Sequence, residues 1–240
     1  MLNLPRTIAH RGASKVAPEN TLAALYKAKD LGALWVEFDV MLTRDGVPIV
    51  IHDAKLNRTT NGNGRVHHFN LDELKKLDAG SWFDKDFSKE RIPTLAEWLK
   101  VAATLKLGVN IELKESSSRA KPLAIAVHSH LQQHWSRDLP KPLISSATIQ
   151  CLNEVYKLDR HYALGWISDL WPFRVVPRLK KHHCFSMHVN YKCLNERRVM
   201  ELKHAGYRVL AYTVNKKELA ESLWKMGVDS VFTDQVPLNF

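Results

Sequence analysis

Eight short runs rich in β-branched and aromatic residues are spaced along the chain, and helical patterns separate nearly all of them. No other feature of the sequence constrains the fold as strongly. The runs are 6–10, 35–40, 109–113, 143–146, 163–167, 185–189, 208–214 and 230–233. Four of the intervening helical patterns have clear bounds. Segment 21–31 ends at Gly32, 94–107 lies between Pro93 and Gly108, 195–204 is closed by Gly206, and 216–226 is closed by Gly227. Strand and helix in alternation over a whole chain predict a parallel sheet.

A ninth apolar run, 47–51, follows the second after only Thr43-Arg44-Asp45-Gly46. Such a link makes a hairpin and is too short for a parallel crossover. Eight parallel strands remain, in 240 residues, close to the ~250 typical of a closed (β/α)₈ barrel. The expected fold is therefore α/β, a (β/α)₈ TIM barrel with an antiparallel hairpin appendage; a doubly wound open sheet is the structural alternative. Segment 54–91, rich in Asn, Gly, Asp and Lys, is longer than one crossover needs and reads as a small insertion over one barrel mouth. The chain 1–240 is thus expected to form one domain.

With 45% hydrophobic residues the chain has enough apolar surface for a sizeable core. No run approaches the ~18 apolar residues that span a bilayer, and 1–7 is too short and polar for a signal peptide, so a cytoplasmic protein beginning at Met1 is expected. Cys151, Cys184 and Cys193 are an odd set without metal-ligand spacing and read as reduced structural thiols. The net charge of +10 allows an anionic partner. Its Lys and Arg are scattered, however, and a solvated basic surface is the simpler explanation.

Glu37 and Asp39 are two apart on a strand, so their carboxylates share a face while Phe38 and Val40 take the other. Glu112 and Lys114 repeat this spacing on the third strand. Either pair alone is an ordinary surface alternation. Both at corresponding strand ends place three carboxylates where a barrel enzyme carries its active site. They would repel one another unless a cation lay between them, and oxygen-only ligands suit a hard ion, Mg²⁺ or Ca²⁺. His10 closes the first strand in Ala9-His10-Arg11-Gly12, and His52 ends the hairpin in Ile51-His52-Asp53. Two histidines can act as acid and base near neutral pH. Arg11 and Lys114 have the chemistry to hold phosphate oxygens.

These motifs resemble the glycerophosphodiester phosphodiesterase family. The resemblance runs in order through His10-Arg11-Gly12, Pro18-Glu19-Asn20-Thr21, Glu37-Phe38-Asp39-Val40, Asp45-Gly46, His52-Asp53, Arg58-Thr59-Thr60, Pro93-Thr94-Leu95, Ile111-Glu112-Leu113-Lys114, Tyr212-Thr213-Val214-Asn215 and Thr233-Asp234. Asp78-Ala79-Gly80-Ser81-Trp82-Phe83 looks most like the bacterial cytosolic branch. The resemblance implies hydrolysis of a glycerophosphodiester, such as glycerophosphocholine or glycerophosphoethanolamine, to sn-glycerol 3-phosphate and an alcohol. It implies one divalent metal ion, Mg²⁺ or Ca²⁺, on Glu37, Asp39 and Glu112, with His10 and His52 as general acid and base. Arg11 and Lys114 would contact the phosphate, and Glu19 and Tyr212 would meet substrate, although segment 18–21 is equally suited to starting and capping the first helix. Tyr212 stands where many family members place Trp, and Ala147 follows Ser145-Ser146 where an aromatic is common. Both departures bear on the alcohol pocket and leave the reaction type untouched.

The expected partner is a small-molecule glycerophosphodiester, without nucleic acid or stable membrane insertion; a homodimer is allowed. Two rivals stand beside this expectation: a barrel phospholipase acting on intact lipids, and a non-catalytic binder of phosphorylated ligands. The pairs His67-His68 and His182-His183 are unsuited to joint metal sites, because adjacent residues share no face. Trp166, Trp171 and Phe173 are expected in core or rim packing, and His188 near a strand end ranks below His10 and His52 as a site residue.

Overall fold

Parallel pairing closes eight of the expected runs into a barrel in the computed structural model, which describes residues 2–237. The elements in chain order are β1 (Thr7–His10), α1 (Leu22–Asp30), β2 (Trp35–Leu42), β3 (Pro48–Val50), α2 (Leu71–Leu74), α3 (Leu95–Thr104), β4 (Gly108–Leu113), α4 (Ala120–His134), β5 (Leu143–Ser146), α5 (Ile149–Leu158), β6 (Ala163–Ser168), α6 (Val175–Lys181), β7 (Ser186–Asn190), α7 (Glu196–His204), β8 (Arg208–Tyr212), α8 (Lys217–Lys225) and β9 (Ser230–Thr233). The spatial order β1-β9-β8-β7-β6-β5-β4-β2 is closed by pairing of β1 with β2. This is a (β/α)₈ TIM barrel. Strand β3 pairs antiparallel with the end of β2, Val40 opposite Val50, as the short turn requires.

Two faces of each strand give two cores. Outward residues such as Phe38, Val109, Trp166 and Val189 pack with helix residues such as Leu25, Trp98, Val127 and Leu179. Ile8, Trp35, Leu143, Leu210 and Phe232 form a separate apolar cluster, one residue from each of five barrel strands, leaving the C-terminal ends of the strands to polar residues. Helix α3 starts where the sequence suggests, because Thr94 and Glu97 form a reciprocal cap: the Glu97 N–H donates to Thr94 Oγ1 at 3.2 Å and the Thr94 N–H donates to Glu97 Oε2 at 2.7 Å.

It ends three residues earlier than 94–107 suggests. Lys106, at φ +53°, takes the left-handed position expected of a terminating glycine. Gly108 instead opens β4, where an added Cβ would fall 2.2 Å from the Trp35 ring.

Segment 54–91 holds α2 and 3₁₀ turns at Val66–His68 and Lys85–Phe87. Its apolar residues Leu56, Val66, Leu74 and Ala79 are buried with Ile49, Ile51 and Ile92 in a cluster continuous with β3. Among the described residues no helix is long and apolar enough to cross a membrane.

Candidate active site

Register assembles the site. On the parallel pairs His10 of β1 stands beside Glu37 of β2, and Asp39 of β2 stands beside Glu112 of β4. One carboxylate oxygen from each of Glu37, Asp39 and Glu112 lies within 4.8 Å of the others, and this is the one such group of three or more His, Cys, Asp or Glu residues among the described residues. The hairpin returns the chain to the same place: the Ile51 N–H donates to the Asp39 carbonyl at 3.0 Å, so His52 arrives beside the trio. A cavity of about 330 Å³ at the C-terminal mouth is lined by His10, Arg11, Glu37, His52, Glu112 and Lys114 on one side. Ala147, Ile167, Asp169, His188 and Tyr212 contribute to the rest of its wall.

The turn after β1 is built for this arrangement. Arg11 takes φ +56°, which L-residues seldom adopt, and its N–H donates to Glu37 Oε2 at 3.0 Å. Gly12 follows at φ +80°, and a Cβ there would lie 2.8 Å from the Ala24 backbone, so α1 can approach only a glycine. Thr21 caps α1 through Ala24 N. Asn20 is thereby freed to donate from Nδ2 to Asp39 Oδ2 at 2.9 Å.

The three carboxylates differ in how readily they ionise. Burial pushes Glu37 well above the usual range, reinforced by Asp39 and Glu112. Burial and Asp39 also raise Glu112, against the opposing pull of Lys114, whose Nζ lies 3.0 Å from Glu112 Oε1. Burial of Asp39 acts in the same direction but is outweighed by Arg11, Lys114 and His52, which keep it below the usual value. Oε1 of Glu37 and Oδ1 of Asp39 are buried without any hydrogen-bond donor. Buried acceptors without donors are costly. With Glu112 they supply hard oxygen ligands at one point, so the donor set fits a divalent cation of the Mg²⁺ or Ca²⁺ type.

Both histidines are oriented through Nδ1. In His10 it lies 2.6 Å from Asp234 Oδ1, and in His52 it lies 2.5 Å from Asp53 Oδ1. Burial disfavours the Asp234 anion, but His10, Asn215 and Ser14 overcome this and bring it to about 2. Arg58 is the main cause that holds Asp53 far below the usual range, aided by His52. Ionised carboxylates only accept, so each Nδ1 carries the proton and Nε2 is left for the cavity. Burial also lowers His52, with Arg11 and Lys114 adding to the effect and Asp39 opposing it.

Arg58, from segment 54–91, ties this network together. Its Nε donates to Asp53 Oδ2 at 2.6 Å, while Nη1 and Nη2 donate to the two Glu19 oxygens at 2.7 and 2.8 Å. Glu19 in turn accepts from Arg11 Nη1 at 2.7 Å. Glu19 does not line the cavity; it stands behind Arg11. Tyr212 does line it, and its hydroxyl donates to Asp169 Oδ1 at 3.0 Å.

Among the other sequence candidates, His188 is buried in the barrel wall, its Nε2 2.9 Å from Ser186 Oγ. It fits because position 165 is glycine: a Cβ there would fall 2.4 Å from its ring. Trp166 faces outward beneath Arg178, and Trp171 packs under Arg198 at 5.1 Å, whereas Phe173 is 84% exposed. His67 and His68 contact each other edge-on, and His183 stacks on Tyr156. Arg58, Asp234, Asn215 and Asp169 were given no role by sequence reasoning. The first three sit in motifs that carry the family resemblance, which was the available signal; Asp169 had none.

The model of the Glycerophosphoryl diester phosphodiesterase family matches residues 10–238. A glycerophosphodiester phosphodiesterase of Caldanaerobacter subterraneus is 37% identical over 230 residues, covering 95% of this chain and 93% of that protein. One of Bacillus altitudinis is 34% identical, covering 96% and 95%. The solved structure of an Oleispira antarctica phosphodiesterase, in complex with the product sn-glycerol-3-phosphate, superposes with a TM-score of 0.95 at 41% identity, covering 97% of this chain and 94% of that one.

Proposed function

Because the chain belongs to the glycerophosphoryl diester phosphodiesterase family, we propose that it hydrolyses glycerophosphodiesters such as glycerophosphocholine and glycerophosphoethanolamine to sn-glycerol 3-phosphate and the free alcohol, with a divalent metal ion and two histidines. The observation that carries this reading is the convergence of Glu37, Asp39, Glu112, His10, His52, Arg11 and Lys114 on one point of the barrel mouth. The product bound by the Oleispira antarctica protein is the product expected here.

Glu37, Asp39 and Glu112 would hold Mg²⁺ or Ca²⁺, which when bound supplies positive charge against the phosphoryl oxygens. Arg11 and Lys114 contact the non-bridging phosphate oxygens and stabilise their charge during displacement. One histidine takes the proton of the attacking oxygen at its free Nε2, and the other protonates the departing alkoxide. A new P–O bond thus forms as the bond to the alcohol breaks, and the protons balance. The attacking group is water, or the neighbouring glycerol hydroxyl, which gives a cyclic phosphate first that water then opens to glycerol 3-phosphate. Glu19 acts on substrate through Arg11, which it holds, while Tyr212 forms part of the wall beside the alcohol.

Free Cys151, Cys184 and Cys193 suit a reducing, cytoplasmic setting. We read the chain as one barrel domain, since the apolar cluster of 54–91 is an extension of β3 rather than a second core. A small diester is its partner, with no nucleic acid in the reaction. A second reading, action on lipids that retain an acyl chain, has Leu170 and Phe173 in its favour, 75% and 84% exposed in the loop that carries Asp169.

Purified protein assayed on glycerophosphocholine tests the main reading. Choline and glycerol 3-phosphate are the expected products, with loss of at least ~10²-fold in rate for His10→Ala and His52→Ala. Phosphocholine as product, or full rates in both variants, would refute it.

A further inference from the structure

The wall of the cavity opposite the histidines carries a carboxylate that the reaction itself does not use. Asp169 follows β6 and lines the same cavity as Arg11, Lys114 and Glu112. Its side chain accepts one hydrogen bond, from Tyr212 Oη at 3.0 Å. The carboxylates of the site described above each have a basic group within 4.0 Å: Glu37 has His10, Asp39 has Arg11 and Lys114, and Glu112 has Lys114. Glu19 has Arg11 and Arg58, Asp53 has His52 and Arg58, and Asp234 has His10. Among the described residues Asp169 has no ion pair.

Its position is braced. The Asp169 carbonyl accepts from Cys193 Sγ at 3.3 Å, and two residues on, Trp171 packs against the Arg198 guanidinium, which also donates to the Cys193 carbonyl. The carboxylate is therefore held at the cavity edge beside an aromatic ring, with Ile167 and Ala147 as apolar wall. A fixed anion next to an aromatic face and aliphatic surface is the chemistry that selects an organic cation, whose charge meets the carboxylate and whose methylene or methyl groups meet the ring.

We propose that Asp169 and Tyr212 form a specificity subsite for a positively charged alcohol, an ammonium or quaternary ammonium group, on the leaving side of the diester. This rests on the proposed hydrolysis and names its substrate class. The glycerol arm offers Asp169 only hydroxyl hydrogen bonds, so a charge partner for it comes from the alcohol arm. Tyr212 serves twice: its hydroxyl fixes the carboxylate and its ring supplies the π surface.

The test compares glycerophosphocholine with its carbon isostere, the 3,3-dimethylbutyl ester of glycerol phosphate, which has the same shape and no charge. The ratio of kcat/KM for the two esters is measured for wild type, Asp169→Asn and Asp169→Lys. Asn keeps an acceptor for the Tyr212 hydroxyl while removing the charge. The ratio is expected to favour the choline ester in the wild type, to fall about fivefold in Asp169→Asn, as for an exposed charge contact backed by an aromatic, and to fall further in Asp169→Lys. Equal ratios in wild type and Asp169→Asn would overturn the subsite while leaving the hydrolase intact. No wild-type turnover of either ester or of glycerophosphoethanolamine would instead overturn the proposed function, and the subsite with it.

Discussion

Nδ1 of His10 lies 2.6 Å from Oδ1 of Asp234, although 224 positions separate them. Closure of the barrel makes the contact, because β1 and β9 are neighbours and both end at the mouth. Asn215 Nδ2 donates to the other Asp234 oxygen at 2.7 Å and Ser14 Oγ to the first at 3.1 Å, so the carboxylate is held before it holds the imidazole.

Asp234→Asn should therefore impair His10 without moving Glu37, Asp39 or Glu112. The amide still accepts a hydrogen bond but no longer stabilises an imidazolium. A fall in kcat of roughly 10²-fold is expected, with KM within a few-fold of wild type. Steady-state kinetics on glycerophosphocholine checks this, with circular dichroism to show an intact fold; a kcat within twofold of wild type would remove Asp234 from the mechanism.

Arg58→Ala removes in a single change the shared partner of Asp53, which orients His52, and of Glu19, which holds Arg11. We expect kcat to drop on the order of tenfold or more, the usual effect of removing a residue that orients a catalytic group. Arg58→Lys should recover little of it, since one ammonium cannot span two carboxylates as the guanidinium fork does. Full recovery by Lys would show that charge alone, and not geometry, is what Arg58 contributes.

Burial holds His188 at about 3, against an ordinary value of 6.5. Below pH 6.5 the unfolded chain gains a proton there that the folded chain refuses. The stability tied to His188 is thus fully present above pH 6.5 and is lost as pH falls toward 3, at ~1.4 kcal/mol per pH unit. Urea unfolding of His188→Leu at pH 7.5 and pH 5.0 should show a difference between the two pH values about 2 kcal/mol smaller than in wild type. The same pH dependence in both proteins would mean that His188 titrates normally.

The barrel and the carboxylates were legible in the sequence for the same reason: both rest on strict periodicity. Alternation puts Glu37 with Asp39 on one face of β2 and Glu112 with Lys114 on one face of β4, the β2–β4 register sets Asp39 beside Glu112, and the hairpin followed from a four-residue link. That His52 reaches the mouth was not legible from spacing. It depends on the Ile51 N–H meeting the Asp39 carbonyl, a register set only when β3 folds back on β2. The groups that orient the histidines were harder still. Arg58 and Asp234 lie outside strands and helices, where no period fixes the direction of a side chain, and their partners come from elsewhere in the chain or its opposite end. Lys106 as the left-handed residue after α3 was hidden by Gly108, whose small size serves Trp35 instead.

In the proposed reaction, hydrolysis depends on one divalent cation held by Glu37, Asp39 and Glu112. The most direct measurement is the initial rate of glycerol 3-phosphate release from glycerophosphocholine as Mg²⁺ or Ca²⁺ is titrated into chelated enzyme. Activity should be near zero in chelator, rise to a plateau with one ion bound per chain, and fail to rise in Glu112→Gln. An unchanged rate in chelator, or the same titration curve in Glu112→Gln, would contradict the claim.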